Sequence, residues 1–159
     1  MGADIDFDPH KTLMQLDPDA WDPDALDPEW GVFVQRLANK PLRKFLPTEM
    51  YALLQRQLGL PFVVPLAINR LEADPFLQAA QYPGDLLTVL IEVDSRFWNE
   101  RYDLWDAMMS MLDQVWTRIQ TRMEEEQRGD YLPWHLSDEF MAALLHFRSI
   151  HEADKRHAE

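Results

Sequence analysis

Apolar side chains recur three or four positions apart between residues 104 and 123, and this spacing constrains the fold more than any other feature. An α-helix turns once every 3.6 residues, so the spacing places these side chains on one face through about six turns. The stripe consists of Leu104, Met108, Met111, Leu112, Val115, Ile119 and Met123. We predict a long helix, with Asp103 as its cap, that buries this stripe in the core rather than offering an adaptable methionine groove.

Shorter stretches with the same period lie elsewhere, separated by prolines and glycines. They predict helices from Trp30 to Leu37, from a Thr48 N-cap to Leu58, and from a Ser137 N-cap to Ile150. The two prolines within 60–65 argue against a strand, and we expect this stretch to cross the core surface before a two-turn helix at 66–73. Without repeats or alternating strands, the class is all-α: a compact single-domain bundle of six to eight helices.

The first 29 residues differ from the rest, with nine acidic residues against one lysine. Asp-Pro recurs there every five residues, at 17–18, 22–23 and 27–28, which favours a succession of turns. We therefore expect an acidic N-terminal arm over 1–29 and a helical domain over 30–153. The polar chain from His151 onward is expected to fray, with 154–159 as a tail outside the domain. Three interpretations of the arm stay open: a loose arm anchored by Trp21 and Leu26, a mimic of a phosphate backbone, or a disordered leader.

The charge and composition exclude several classes of function. A formal net charge of −13 argues against direct binding of nucleic acid or an anionic membrane, because both need clusters of Lys and Arg, and it favours a cationic partner. The absence of cysteine excludes disulfides, thiolate catalysis and Cys-based metal sites. No apolar run approaches the roughly 20 residues of a membrane span, and the N-terminus has no signal pattern, so we expect a cytoplasmic protein.

Residue patterns typical of enzymes are missing as well. Histidines at 135, 146, 151 and 157 suggest a metal or acid–base site, but a separation of five does not place His146 and His151 on one helical face. The chain has no Gly-x-Ser-x-Gly motif, no glycine-rich phosphate loop and no carboxylate pair that stands out in so acidic a sequence. We predict no catalytic residue, no metal and no cofactor, and hence no enzyme.

The stretch from Leu71 to Trp98 combines a sharp turn with an apolar run and an aromatic pair. Pro83 restricts Tyr82, and Gly84 can adopt left-handed angles, so a chain reversal is predicted there. Asp85 follows at the start of an apolar segment that periodicity alone assigns either to a buried helix or to a strand. We expect Asp85 to cap such a helix, and its carboxylate could also bind a partner's cation.

This region resembles the helical immunity proteins of bacterial contact-dependent growth inhibition (CDI) systems, over roughly residues 60 to 105. The resemblance is carried by Arg70-Leu71-Glu72, Pro75-Phe76, Tyr82-Pro83-Gly84-Asp85-Leu86-Leu87 and Phe97-Trp98. It implies a cytoplasmic antidote that binds and blocks the C-terminal toxin domain delivered by a neighbouring cell. It favours a helix at Asp85 and does not itself transfer interface positions.

Resemblance and charge together suggest that an acidic face occludes the basic active site of a nuclease toxin. On the charge argument the contacts are expected at Asp85, Glu92, Asp94 and Glu100 around Phe97 and Trp98, with a second patch at Asp19, Asp22 and Asp24. Phe97 and Trp98 could instead be core residues and the acids helix caps. The antidote is expected to be a monomer or weak dimer, whereas the alternative function, a small helical adaptor, would pair its methionine stripe with a second copy.

Overall fold

The computed structural model describes residues 5–18, 28–129 and 137–151, and most of these residues are helical. The α-helices in these ranges are α1 Leu13–Leu16, α2 Pro28–Ala38, α3 Pro47–Gln55, α4 Leu60–Ala73, α5 Asp85–Ile91, α6 Ser95–Glu100, α7 Tyr102–Gln127 and α8 Ser137–Ser149. A 3-10 helix, Leu42–Lys44, precedes α3. No strand forms within them, and an isolated antiparallel bridge joins Thr12 to Pro41. The prediction of an all-α bundle is confirmed.

The long helix α7 lies at the centre of the packing. Six members of its predicted stripe, from Leu104 to Ile119, are buried, and Met123 packs partly buried against the core. α7 contacts α4 and α6, while α5 packs against α3, α4 and α8 with all seven of its residues buried. The methionine stripe is therefore core, as predicted, and 85–91 is helix rather than strand.

The helix predicted at 66–73 begins six residues earlier, because 60–65, which was expected only to cross the core surface, forms the first turns of α4. Gly59 starts the helix with φ of 63°. Pro61 lies in the first turn, where a backbone N–H would have no intrahelical partner. Pro65, inside the helix, has no backbone N–H and so removes one intrahelical hydrogen bond. In return α4 buries apolar side chains, among them Val63, Val64 and Ile68. The apolar burial of the whole helix outweighs the lost hydrogen bond.

Part of the acidic N-terminal segment is tied to the helical body. The N–H of Arg43 donates to the carbonyl of Pro9 at 2.8 Å, and Leu13 of α1 is fully buried. The expected anchors Trp21 and Leu26 lie outside the described residues. In the described part, attachment comes from backbone hydrogen bonds, from the buried Leu13 and from Phe7, whose ring lies edge-on to that of Phe62 at 5.2 Å.

The other end of the domain is packed up to His151, which corrects the expectation that the chain frays from this residue onward. His151 is 3% exposed, and its Nε2 lies 2.7 Å from the carbonyl oxygen of Trp98. Its ring also meets the rings of Tyr102 and Trp105 edge-on, with centroid distances of 5.0 and 4.9 Å. Aromatic packing and a satisfied ring nitrogen make this polar residue part of the core; residues 154–159 lie outside the described ranges.

Candidate functional site

Asp85 is the first residue of α5, yet its carboxylate bonds to the loop before the helix. It accepts four backbone hydrogen bonds: from Ala79 at 2.7 Å, Ala80 at 2.8 Å, Gln81 at 2.7 Å and Tyr82 at 3.4 Å. The predicted cap to the first turn of its own helix is not formed. Because Asp85 is only 1% exposed, its carboxylate is a structural group and offers no surface to a partner.

The loop that Asp85 organises is closed by two further contacts. Gly84 has φ of 90° and donates its N–H to the carbonyl of Phe76 at 3.0 Å, so the predicted reversal does use left-handed glycine angles. The hydroxyl of Thr48 donates to the carbonyl of Ala79 at 2.6 Å. α3 itself begins at Pro47, so Thr48 ties this helix to the loop instead of acting as the predicted N-cap.

The aromatic pair of α6 divides between core and surface. Trp98 is fully buried, and its ring lies 5.3 Å from Phe97 and 4.9 Å from Phe147, edge-on in both cases. Its Nε1 has no hydrogen-bond partner among the described residues. Phe97 is only partly buried. Trp98 therefore belongs to the core, and of the two aromatic residues Phe97 is the one that a partner could contact.

Exposed carboxylates cluster in the short segment that runs from the end of α5 into α7. We call this set the acidic corner: Glu92, Asp94, Glu100, Asp103 and Asp106. With Arg96 and Arg101 included, residues 92–106 carry a net charge of −3. Glu100 and Asp106 have no ion-pair partner among the described residues, so their charges are available to a ligand.

Two contacts fix the start of the acidic corner. The side chain of Asp94 accepts a hydrogen bond from the N–H of Arg96 at 2.9 Å and so caps α6. The N–H of Asp94 donates to Oε1 of Gln57 at 3.0 Å. Gln57 has φ of 59°, an uncommon value for a residue other than glycine. Gln57, two residues beyond the end of α3, thereby holds the turn that leads into α6.

At the start of α7, Arg101 and Asp103 form a two-pronged ion pair. Nε of Arg101 donates to Oδ1 of Asp103 at 3.0 Å, and a terminal nitrogen donates to Oδ2 at 2.9 Å. These hydrogen bonds lower the pKa of Asp103, against a smaller opposing effect of burial. The hydrogen bonds of Asp103 raise the pKa of Arg101, and the charge of Asp6 adds to this increase. Asp6 of the N-terminal segment therefore contributes to the electrostatics of the acidic corner.

Two tyrosines lie near Glu92, on the α3 side of the acidic corner. Burial raises the pKa of Tyr51 and of Tyr82, and the negative charges of Asp85 and Glu92 raise both further, although the hydrogen bond of Tyr82 with Thr88 acts in the opposite direction. Both phenols are therefore protonated at neutral pH. Partly exposed tyrosines beside carboxylates are residue types that protein interfaces often use.

The structure brings four of the sequence-predicted residues together at the surface, namely Glu92, Asp94, Phe97 and Glu100. It buries Asp85 and Trp98, and Asp19, Asp22 and Asp24 lie outside the described residues.

Sequence reasoning did not include Asp103, Asp106 or the 45% exposed Tyr102 among the candidate contacts. Their position in the first turns of the longest predicted helix was the available signal, since exposed acids are common there.

The described residues define the chemistry that this surface can perform. No group of three or more potential metal ligands occurs among them. None of their helices is long and apolar enough to cross a membrane. In the acidic corner, Glu100 and Asp106 have no ion-pair partner within the described ranges, and the neighbouring Phe97 and Tyr102 are partly exposed. This arrangement is suited to binding a basic protein surface.

A family model described as CDI immunity proteins matches residues 15–108 of the chain. The match covers more than half of the sequence and includes every residue of the acidic corner. No curated protein and no solved structure matches the chain.

Proposed function

The chain belongs to the CDI immunity proteins and so inhibits a CDI toxin, and from this premise we propose that the acidic corner occludes the basic active site of a nuclease toxin. The observation that carries the proposal is the run of five carboxylates over 92–106, two of them without an ion-pair partner among the described residues. Phosphate-binding clefts are basic, so carboxylates are suitable groups to occupy them.

Recognition through this surface has an electrostatic and an anchoring component. Opposite charges steer association and can raise the rate towards about 10⁸ M⁻¹s⁻¹ at low salt. Phe97, which is half-buried, and Tyr102, which is exposed, are aromatic rings that can fill pockets of the toxin. Aromatic anchors contribute most of the affinity in many interfaces. The Gln57 brace and the Arg101–Asp103 pair hold the segment before binding, which reduces the entropy lost on association.

The N-terminal acids Asp19, Asp22 and Asp24 form a proposed second contact patch in the same mechanism. Nucleic acid and membranes are not partners in this proposal, because the described surface concentrates negative charge where such ligands would need positive charge. The protein acts in the cytoplasm as a monomer or weak dimer and performs no catalysis. The alternative of an adaptor that pairs through its methionines is disfavoured, because Met108 and Met111 of the stripe are buried in the core of the same chain.

Calorimetry with the purified protein and the toxin domain encoded immediately upstream of its gene tests the proposal. We expect a one-to-one complex whose affinity falls as salt is raised, together with loss of nuclease activity in the complex. Light scattering of the free protein should give the mass of a monomer or of a weak dimer that dissociates on dilution. Absence of binding to the cognate toxin at both low and high salt contradicts the proposal, and binding that leaves the active site open contradicts occlusion.

A further inference from the structure

A groove of about 340 Å³ is lined by α7 and by the loop that follows α4, further along α7 than the acidic corner. Its lining consists of Phe76, Thr117, Arg118, Thr121, Arg122 and Glu125. Two guanidinium groups in one groove are notable in a chain with a net charge of −13. The groove thus presents positive charge, whereas the acidic corner presents negative charge.

Arg118 is held in place by the end of α4. Its two terminal nitrogens donate to the carbonyl of Glu72 at 3.0 Å and to that of Ala73 at 3.4 Å. A guanidinium group has five N–H donors, so these bonds leave three for other partners. Arg118 is exposed, and it makes no other hydrogen bond or ion pair with the described residues. It is a fixed donor at the edge of the groove.

The remaining lining complements this donor. The guanidinium carbon of Arg122 lies 5.8 Å from the centre of the Phe76 ring, which orients the group over an apolar surface. Thr117 and Thr121 are exposed and four positions apart, so their hydroxyl groups lie on the same side of α7. Charged donors, hydroxyl groups and an aromatic ring together form a site for the planar anion and aliphatic stem of an acidic side chain.

The charges around the groove favour a single carboxylate over a nucleic acid. Glu125 belongs to the lining, and Asp74 and Glu124 are exposed in the same part of the molecule. A polyphosphate chain would extend past all of these negative charges, whereas one carboxylate beside Arg118 meets fewer of them. The occupant is therefore expected to be a protein segment with an isolated acidic side chain.

We propose that this groove binds an acidic side chain on the surface of the toxin, as a second contact that fixes the orientation of the complex. The inference rests on the proposed function, because it assumes the same partner. Asp103 of the acidic corner and Arg118 are 15 positions apart on α7, about 22 Å at 1.5 Å per residue, and 15 steps of 100° bring them to within roughly 60° on the helix surface. A standard interface covers about 800 Å² on each partner, which is enough to span both.

Substitutions at Thr121 test the proposal, because they change the charge of the groove without removing the Arg118 bonds. At low salt, Thr121→Glu should weaken toxin binding about 10-fold or more, and Thr121→Lys should leave it within about two-fold or strengthen it. The matched controls are Asn99→Glu and Asn99→Lys on α6, beside the acidic corner. There the effects on affinity should be reversed, because a basic toxin surface binds more tightly to the glutamate variant and more weakly to the lysine variant.

The outcomes distinguish failure of the groove as a carboxylate site from failure of the proposed toxin binding. If Thr121 and Asn99 variants respond with the same sign, general attraction explains the data and the groove is not a carboxylate site. If Thr121→Glu removes binding of a single-stranded RNA oligonucleotide to the free protein, the site belongs to nucleic acid and the proposal is overturned. A toxin Asp→Lys or Glu→Lys change that restores the affinity for Thr121→Glu would identify the occupant. If the wild-type protein binds no toxin, the proposed function fails first, and the groove's role fails with it.

Discussion

Asp85 and the acidic corner contain the same kind of group within about 20 residues of sequence, but in opposite environments. The Asp85 carboxylate is buried and accepts four backbone N–H bonds. Those of Glu100 and Asp106 are exposed, without an ion-pair partner among the described residues. The first stabilises the fold and the others remain available for recognition. A carboxylate has a structural role when surrounding backbone N–H groups bind it, and its presence in an acidic segment does not decide this.

The largest effect is expected from Asp85→Asn, which places an amide NH₂ where N–H donors need an acceptor. Leaving buried donors without a partner should lower the free energy of unfolding by about 3 kcal/mol. Urea denaturation followed by circular dichroism measures the loss. Glu100→Gln is the matched control and should change stability by less than about 0.5 kcal/mol. Equal effects at both positions would remove the distinction between the two regions.

A smaller loss is expected from Gly84→Ala, because Gly84 holds the Asp85 turn with φ of 90°. A side chain at left-handed angles should cost about 1–2 kcal/mol. Gly31→Ala provides the control, since Gly31 lies in α2 and an added Cβ meets nothing within 4 Å. That change should stabilise the protein by up to about 1 kcal/mol, as an alanine favours a helix. Thermal melting of both variants measures the two changes in stability. Equal destabilisation by both would argue against a specific need for left-handed backbone angles at Gly84.

Charge removal at the acidic corner should change binding instead of folding. The double substitution Glu100→Gln and Asp106→Asn should weaken the toxin complex about 10-fold at low salt, with less effect at high salt. Its free energy of unfolding should stay within about 0.5 kcal/mol of the wild type, because neither carboxylate has a partner in the described fold. Calorimetric titration and urea denaturation of the same samples measure both quantities. A stable variant with unchanged affinity would place the interface elsewhere.

The smallest effect concerns Asp103, the paired member of the acidic corner. Its pKa should lie below the ordinary value of 3.8 and should return towards that value in Arg101→Gln. Because the folded-state pKa is lowered, the pair contributes stability above the unfolded-state pKa, and the contribution is lost as pH falls through the folded-state pKa. NMR titration of the carboxyl carbon measures the shift. An unchanged pKa in Arg101→Gln would show that the ion pair does not persist in solution.

Periodic apolar spacing predicted the packing of the long elements. Six members of the α7 stripe are buried as expected, and in α8 the same spacing places Phe140, Leu144 and Phe147 in the core, because burial follows largely from spacing. The helical start of α4 was not predicted, since local proline penalties do not show how much apolar surface a segment buries. The burial of His151 depends on a carbonyl of α6 far away in sequence, which no local pattern contains.

The candidate site was predictable to a similar extent. Net charge and the position of acids at helix ends indicated Glu92, Asp94 and Glu100. Phe97 and Trp98 could not be separated, because both are aromatic neighbours on one short helix and only packing against Phe147 shows which of them is core. The partners of Asp85 are backbone groups of 79–82, whose arrangement exists only once the loop has folded.

α7 extends through 26 residues without interruption. A continuous helix has no hinge, so Asp103 and Asp106 of the acidic corner keep a constant separation from the groove around Arg118. A toxin with the right charges at the wrong separation would gain one contact and lose the other. If both surfaces contact the toxin as proposed, inserting or deleting residues of α7 between them would change specificity even with every contacting side chain kept.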